Sequence, residues 1–236
     1  MTELESEAME AEFDTVAGWT EEAVRALGPE YAVPAGCRGT GSEGALRWLA
    51  DRLRLDGDSR PVCAEPMAAA VRASRRLFGL PSVVAVSQAL PFGNAVFDAA
   101  WCLGVLCTTS DKAGALAELR RVLRPGGRLG LLVFIADGPL TPPLPEGNEF
   151  PSEQELLGLL RDAGLALEES ADGDLSDSPP DWTERADAVD AEVERRHGHD
   201  PAFEQAQENA RRVGRLLSAG ELRAWLGVAT VPDSGD

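Results

Sequence analysis

The sequence is poor in basic residues. Its 236 residues include 22 lysines and arginines against 40 aspartates and glutamates, so the net charge is −18. Nucleic acids and anionic membranes bind basic surfaces, and the composition therefore argues against both as main partners. No apolar run approaches the roughly 18 residues of a membrane span, and residues 1–12 lack the basic and apolar regions of a signal peptide. We therefore expect a cytoplasmic protein.

Cysteine and histidine are also scarce. The four cysteines include no C-x-x-C pair, which favours reduced structural thiols over a metal site or a disulfide framework. The two histidines, His197 and His199, fall in a predicted turn between helices, so no catalytic base is assigned. No G-x-G-x-x-G sequence follows a predicted strand, which argues against a nicotinamide-dependent oxidoreductase.

Apolar residues make up 44% of the chain, enough to form a substantial core. Strand and helix patterns alternate from residue 61 to residue 169, which predicts an α/β fold with a doubly wound, mostly parallel sheet and helices on both faces. Ser42, Ser152 and either Ser110 or Asp111 have the chemistry of helix N-caps. The predicted strands are 61–65, 82–86, 96–105, 128–136, 165–169 and 222–231, the last as an antiparallel edge strand. The predicted helices are 19–27, 43–55, 67–78, 112–124, 153–163 and 181–217, the last with a break at 198–201.

Four regions follow from this pattern. Prolines and glycines in residues 31–41 predict a loop, and residues 1–13 predict a loose helix separate from helix 19–27. Residues 171–180 read as an acidic linker before a helical segment. The expected division is an N-terminal cap (1–41), an α/β core (42–170), a helical insert (171–221) and a final edge strand with its tail (222–236).

The chain is organised around residues 90–106. Phe92-Gly93-Asn94 has turn chemistry, and the apolar run from Val96 to Val105 predicts a strand covered on both faces. Ligands of such sheets bind at the carboxyl ends of the strands. Glu65, which ends a predicted strand there, can accept hydrogen bonds from both hydroxyls of a ribose. Its alternative role is that of a first-turn acid facing the dipole of the next helix.

Two sequence blocks together resemble the class I S-adenosylmethionine-dependent methyltransferases, in the small-molecule branch that includes ubiquinone and sterol methyltransferases. The blocks are Leu90-Pro91-Phe92 with Phe97-Asp98-Ala99-Ala100-Trp101, and Glu118 to Gly127 (ELRRVLRPGG). The resemblance implies S-adenosyl-L-methionine as cofactor and a small-molecule substrate. It implies that Glu65 binds the ribose, that Pro66 or Met67 packs on the adenine, and that the loop from Cys102 to Leu106 flanks the methionine end. The full set of cofactor-binding residues expected is Glu65, Pro66, Met67, Gln88, Ala89, Leu90, Cys102, Leu103, Gly104, Gly39 and Gly41.

The glycine-rich first motif of that family is not in its expected place. Its strand, loop and helix are absent between Arg60 and Pro61. A displaced version, Gly36-Cys37-Arg38-Gly39-Thr40-Gly41, precedes a predicted helix and lies 24 residues before Glu65 when counted from Gly41. If the loop is displaced, we expect a methyltransferase. If it is lost, we expect a methyltransferase-like protein that acts as a binding or assembly partner. A homodimer is compatible with either.

Overall fold

The computed structural model describes residues 3–37 and 41–233. Helices and strands alternate through the middle of these residues, and no helix among them is both long and apolar enough to cross a membrane. The helices are α1 (Glu3–Leu27), α2 (Ala32–Gly36), α3 (Glu43–Arg52), α4 (Ala68–Phe78), α5 (Lys112–Val122), α6 (Glu153–Asp162), α7 (Pro180–His197) and α8 (Pro201–Ser218), with 3₁₀ turns at Pro29–Tyr31 and Val105–Cys107. The strands are β1 (Cys63–Glu65), β2 (Ser82–Val84), β3 (Phe97–Leu103), β4 (Leu123–Ile135), β5 (Ala166–Gly173) and β6 (Arg223–Thr230).

The strands form two separate sheets. β1 pairs in parallel with β2, and a second sheet has the order β3-β4-β6-β5, in which β3 and β4 are parallel and β6 is antiparallel to both neighbours. The predicted α/β fold flanked by helices is confirmed, as is the antiparallel direction of the last strand. The prediction that this strand lies at an edge is wrong. β6 lies between β4 and β5, which pair with both of its edges, and it is buried along nearly its whole length.

The break between the sheets falls where a doubly wound sheet reverses its strand order. In the order 3-2-1-4-5, the first strand lies between the second and the fourth. β1 and β2 correspond to the second and third strands, and β3 and β4 to the fourth and fifth. Within residues 3–37 and 41–233, no strand pairs with the remaining edge of β1 or of β3.

Residues 31–36, which precede the glycine-rich loop, are helical. The prediction of a loop from Tyr31 to Gly41 is therefore wrong for this part: a 3₁₀ turn ends at Tyr31 and α2 follows. Pro34 is tolerated because it is the third residue of α2, where a backbone N–H has no partner within the helix. Ala32, Pro34 and Ala35 are buried, and Ala32 and Ala35 share a cluster with Trp19 of α1.

Local capping signals are confirmed. The hydroxyl of Ser42 accepts from the backbone N–H of Ala45, Asp111 accepts from Gly114, and Ser152 forms a reciprocal capping box with Glu155. The N-terminal prediction is wrong in one respect, because a single helix, α1, replaces the two expected segments. The predicted acidic linker also begins later than expected, since β5 continues to Gly173.

The main core lies between the four-stranded sheet and helices α5 and α6. It includes Cys102 on β3, Leu116 on α5, Leu131 on β4, Leu156 on α6 and Trp225 on β6. The prediction that β3 is covered on both faces is wrong for Trp101, whose side chain is 42% exposed. Among the described strands β3 lies at the edge of its sheet, so no described strand beyond it helps to cover Trp101.

Candidate functional site

The carboxyl ends of β1, β2 and β3 form a continuous polar corner. The backbone N–H of Ala85 donates to the carbonyl of Glu65 at 3.0 Å, which joins the ends of β1 and β2. The amide Nε2 of Gln88 donates to Oγ1 of Thr109, which joins the segment after β2 to the segment after β3. The structure therefore brings the sequence-predicted residues Glu65 and Gln88 to the same edge of the fold, across the break between the sheets.

Glu65 is the chemically distinctive side chain of this corner. Its carboxyl group is half-buried, and burial raises its pKa above the ordinary value. No residue in the described part of the chain donates a hydrogen bond to it. A carboxylate placed out of water without a donor is energetically unfavourable, so this group is suited to a ligand that brings hydroxyl donors. Pro66 and Met67, which follow it, are half-buried and apolar.

A charged pair on α5 holds the turn that begins at Leu90. The Arg121 guanidinium binds the Glu118 carboxylate with two hydrogen bonds of 2.6 and 2.8 Å. Arg121 also donates to the carbonyls of Leu90 (3.0 Å) and Phe92 (2.8 Å) and to Oδ1 of Asn94 (2.9 Å). Glu118 accepts from the backbone N–H of Leu90 at 2.8 Å. The pKa of Glu118 is lowered to about 2, chiefly because Arg121 donates a hydrogen bond to its carboxylate.

This clamp explains why the two sequence blocks occur together. The first block supplies the turn, and the second supplies Glu118 and Arg121 at a spacing of three residues on one helix face. Of the residues expected beside the adenine, Leu90 is half-buried and held by the clamp, whereas Ala89 is exposed.

Two glycines contact Leu132, near the carboxyl end of β4. Gly104 has a left-handed φ of 73° and donates its N–H to the carbonyl of Leu132 at 2.9 Å. Gly41 has a φ of 108°, and a Cβ there would lie 2.5 Å from Cδ1 of the same Leu132. Both positions require glycine, because the backbone is left-handed at each and closely packed at Gly41. Gly39, the other predicted glycine, lies outside the described residues.

The side chain of Cys102 points away from the predicted site. It is 4% exposed within the main core, and burial raises its pKa to about 12. Burial similarly raises the pKa of Cys107 to about 12. Neither thiol is therefore available as a thiolate nucleophile at neutral pH. Leu103 and Gly104, which follow Cys102, are half-buried at the strand end.

Sequence reasoning missed the contribution of α1. The carboxylate of Asp14 accepts a 2.6 Å hydrogen bond from the backbone N–H of Ala69, at the start of α4. Met67 is the N-cap of α4 and has no side-chain hydrogen bond to it. The available signal was the sequence Pro66-Met67-Ala68, because a helix start without Ser, Thr, Asp or Asn requires a cap from elsewhere.

A concave region begins beside this corner, where the Nζ of Lys112 donates to the carbonyl of Thr109 at 2.8 Å. A groove of about 450 Å³ is lined by residues of α5, α6 and the segment before α6, including Lys112 and Glu149. The Nζ of Lys112 and Oε2 of Glu149 are 3.2 Å apart. None of the residues lining this groove is among the predicted cofactor residues.

Comparison with known families gives a match inside the α/β region. Residues 37–131 match the family described as "Methyltransferase domain", which is less than half of the chain. The O-methyltransferase cnsE of Penicillium expansum is 39% identical over 85 residues, covering 33% of this chain and 31% of that protein. The 27-O-demethylrifamycin SV methyltransferase of Amycolatopsis mediterranei is 34% identical over 113 residues, covering 42% and 39%. The chain thus spans well under half the length of the curated relatives it matches.

Solved structures resemble the chain over nearly its full length. The [4+2]-cyclase SpnF superposes with a TM-score of 0.68 at 21% identity and covers 97% of each chain. A chain from the complex of the Haloferax volcanii Trm112 methyltransferase activator with its methyltransferase superposes with a TM-score of 0.55 at 21% identity, covering 96% of this chain and 99% of that one. The fold is that of the Rossmann-like methyltransferases. Methyl transfer is the activity that the family match and the curated relatives have in common.

Proposed function

We propose that this chain transfers a methyl group from S-adenosylmethionine to a small-molecule acceptor. The observation that carries the proposal is the half-buried carboxyl group of Glu65, which receives no hydrogen bond from the described residues. It stands at the carboxyl end of β1, beside the break where a doubly wound sheet binds its ligand. The match of residues 37–131 to a methyltransferase domain supports the same conclusion.

The residues at the corner fit the adenosine part of the cofactor. The two oxygens of Glu65 can accept from the two ribose hydroxyls, which would relieve the cost of burying the carboxylate. Pro66, Met67 and Leu90 offer half-buried apolar surface to an adenine. Gly41 and Gly104, which flank Leu132, let the backbone approach the methionine part closely.

The chain's own contribution to the reaction is positioning. The bound cofactor supplies a methyl group on a positively charged sulfur, which is already electrophilic. The Glu118–Arg121 clamp fixes the adenine-side turn, and the Gln88–Thr109 hydrogen bond fixes the segment after β3 relative to it. Holding the acceptor atom in line with the methyl group is then the main requirement. No catalytic base is assigned.

We infer that Gly36 to Gly41 takes the place of the family's glycine-rich loop. The family match begins at Cys37, within this segment. Gly41 lies against Leu132 at the strand ends, and α3 leads directly from the loop to β1. The helix that the family places after this loop is therefore α3. It precedes Arg60 and Pro61, between which the sequence lacks the motif. Only the strand before the loop has no counterpart among the described strands, since residues 31–36 are helical.

The N-terminal cap and the helical insert are proposed to cover the acceptor. Met9 of α1 packs on Gly147 in the segment after β4, and Oε2 of Glu12 accepts from Asn209 of α8 at 2.8 Å. These contacts bring α1, α8 and the loop after β4 together on one side of the fold. The ubiquinone and sterol branch, the cytoplasmic location and the homodimer stay predictions.

Calorimetric titration with S-adenosylhomocysteine tests the cofactor assignment. Glu65→Gln should weaken binding about 10- to 100-fold, because it removes charge-assisted hydrogen bonds to the ribose. Asp98→Asn is the matched control: this exposed acid, paired with Arg124, stands at the amino end of β3, so its loss should leave binding unchanged. Absence of measurable heat at millimolar ligand with the unmodified protein would refute the proposal.

A second candidate function is that of a methyltransferase-like binding or assembly partner without methyl transfer. The observation that favours it is the break in the sheet: no described strand lies between β1 and β3. This candidate predicts no binding of S-adenosylhomocysteine and no effect of Glu65→Ala on partner capture or self-association. Methylation of any acceptor by the purified chain would eliminate it.

A further inference from the structure

The N-terminal helix α1 contacts segments that follow strands on both sides of the break in the sheet. Met9 packs on Gly147 after β4, and five residues later Asp14 binds the start of α4, directly after β1. Five residues of helix span about 7.5 Å along its axis. One short stretch of α1 therefore contacts both the loop after β4 and the start of α4, four residues after Glu65.

The Asp14 contact supplies the side-chain N-cap that α4 lacks. The N-cap position of α4 is Met67, whose thioether makes no capping hydrogen bond. The carboxylate of Asp14 accepts from Ala69, the second residue of the helix, at 2.6 Å in a partly buried setting. This is the hydrogen bond that an N-cap aspartate makes within its own helix. Here its donor and acceptor are 55 residues apart in the chain.

An ion pair provides a second contact between α1 and α4. Nη1 of Arg76 lies 2.8 Å from Oε1 of Glu21, whose side chain is almost completely buried. α1 is thus attached to α4 at both ends of α4. The contact at Asp14 is the one beside Glu65, because only Pro66, Met67 and Ala68 separate Glu65 from Ala69.

We propose that Asp14 is a positioning residue for the ribose-binding corner. By capping α4 from α1, it orders Pro66, Met67 and the backbone of Glu65 only while α1 is docked over the site. Docking of the N-terminal helix and formation of the cofactor site are therefore one event. This inference rests on the proposed function, because it takes Glu65 as the ribose-binding acid.

The chain offers a closely matched control for the capping bond itself. Asp200 accepts from Ala202, the second residue of α8, at 2.9 Å, so it caps the same position of a helix from within that helix. Asp14→Ala and Asp200→Ala each remove one aspartate cap from one helix. Only the first lies at the Glu65 corner. Asp14→Asn keeps an oxygen acceptor and is the conservative rescue.

The test measures amide hydrogen exchange in the free protein and the Kd for S-adenosylhomocysteine. Asp14→Ala should speed exchange at residues 65–70 about three- to ten-fold and weaken the Kd by a similar factor, the range expected for a lost cap. Asp14→Asn and Asp200→Ala should stay within about two-fold of the unmodified protein in both readouts. A merely structural role would lower thermal stability in both alanine variants without a selective change in Kd.

Two results overturn the inference in distinguishable ways. If Asp14→Ala binds S-adenosylhomocysteine as tightly as Asp200→Ala does, Asp14 does not position the site although the cofactor proposal stands. If the unmodified protein binds no S-adenosylhomocysteine, the proposed function itself fails and the positioning role falls with it. The exchange measurement still reports in that case whether Asp14 orders the start of α4.

Discussion

Replacing Arg121 with alanine should destabilise the protein by about 3 kcal/mol. The guanidinium donates to Leu90, Phe92 and Asn94 while it binds Glu118. Hydrogen bonds from a charged donor contribute about 1.5–3 kcal/mol each when buried. The Arg121 side chain is 30% exposed, so water replaces part of each interaction and about 1 kcal/mol per turn acceptor is the appropriate figure. For a chain of this size, the loss corresponds to a decrease in Tm of about 6–12 °C.

The pH dependence of this loss identifies its cause. The pKa of Glu118 is lowered to about 2, so its contribution to stability is complete above the unfolded value of 4.5 and is lost as pH falls toward 2. The part of the loss that comes from the Arg121–Glu118 pair should therefore be complete at pH 7 and shrink as pH falls from 4.5 toward 2, whereas the part from the three turn acceptors does not change with pH. Urea denaturation at several pH values measures it.

The control for this prediction is on the same helix. Arg120→Ala removes a neighbouring arginine that is not part of the clamp, and it should cost less than about 0.5 kcal/mol. Arg121→Lys keeps the charge but not the planar fork, so its stability should fall between those of the unmodified protein and Arg121→Ala. A loss below 1 kcal/mol for Arg121→Ala, or a loss that does not change with pH, would refute the clamp as the source of stability for the turn.

Three further predictions concern single residues. Binding of S-adenosylhomocysteine should tighten as pH rises from 4.5 through the raised pKa of Glu65, and protons should be released on binding. Calorimetry in two buffers of different ionisation enthalpy measures both effects. Affinity that does not change with pH in the unmodified protein would exclude Glu65 from the site. Gly41→Ala should destabilise the protein by about 1–3 kcal/mol because of its left-handed backbone and its contact with Leu132, and thermal unfolding checks this. Gly18→Ala in α1 should instead stabilise it by about 0.5–1 kcal/mol, because a Cβ there meets open space; Gly214→Ala in α8 is a parallel case.

Features set by nearby residues could be predicted from the sequence. Ser42, Asp111 and Ser152 all cap the helices expected of them, because the hydrogen bond joins a side chain to a backbone group within three residues. The same holds for the helical insert and its break: α7 ends at His197 and α8 begins at Pro201. These signals depend little on where distant segments lie.

Features set by distant partners could not be predicted. The apolar run of β6 identifies a strand but not its two neighbours, so its place between β4 and β5 does not follow from the sequence. Pro34 predicts an irregular segment, yet the first turn of α2 needs no N–H from it. In the candidate site, Glu65 and Leu90 could be placed at strand ends, whereas the Asp14 cap depends on how α1 docks.

Because the strands form two sheets, we expect the β1–β2 sheet to unfold locally without unfolding of the four-stranded sheet. β1 and β2 exchange ladder hydrogen bonds only with each other among the described residues, and α4 is joined to the rest chiefly through α1 and α2. Releasing this β1–α4–β2 unit therefore breaks side-chain and helix contacts but none of the ladder that holds β3, β4, β6 and β5. Its opening free energy should lie below that of global unfolding. Truncation of α1 should then free the adenosine half of the site while the larger sheet stays folded.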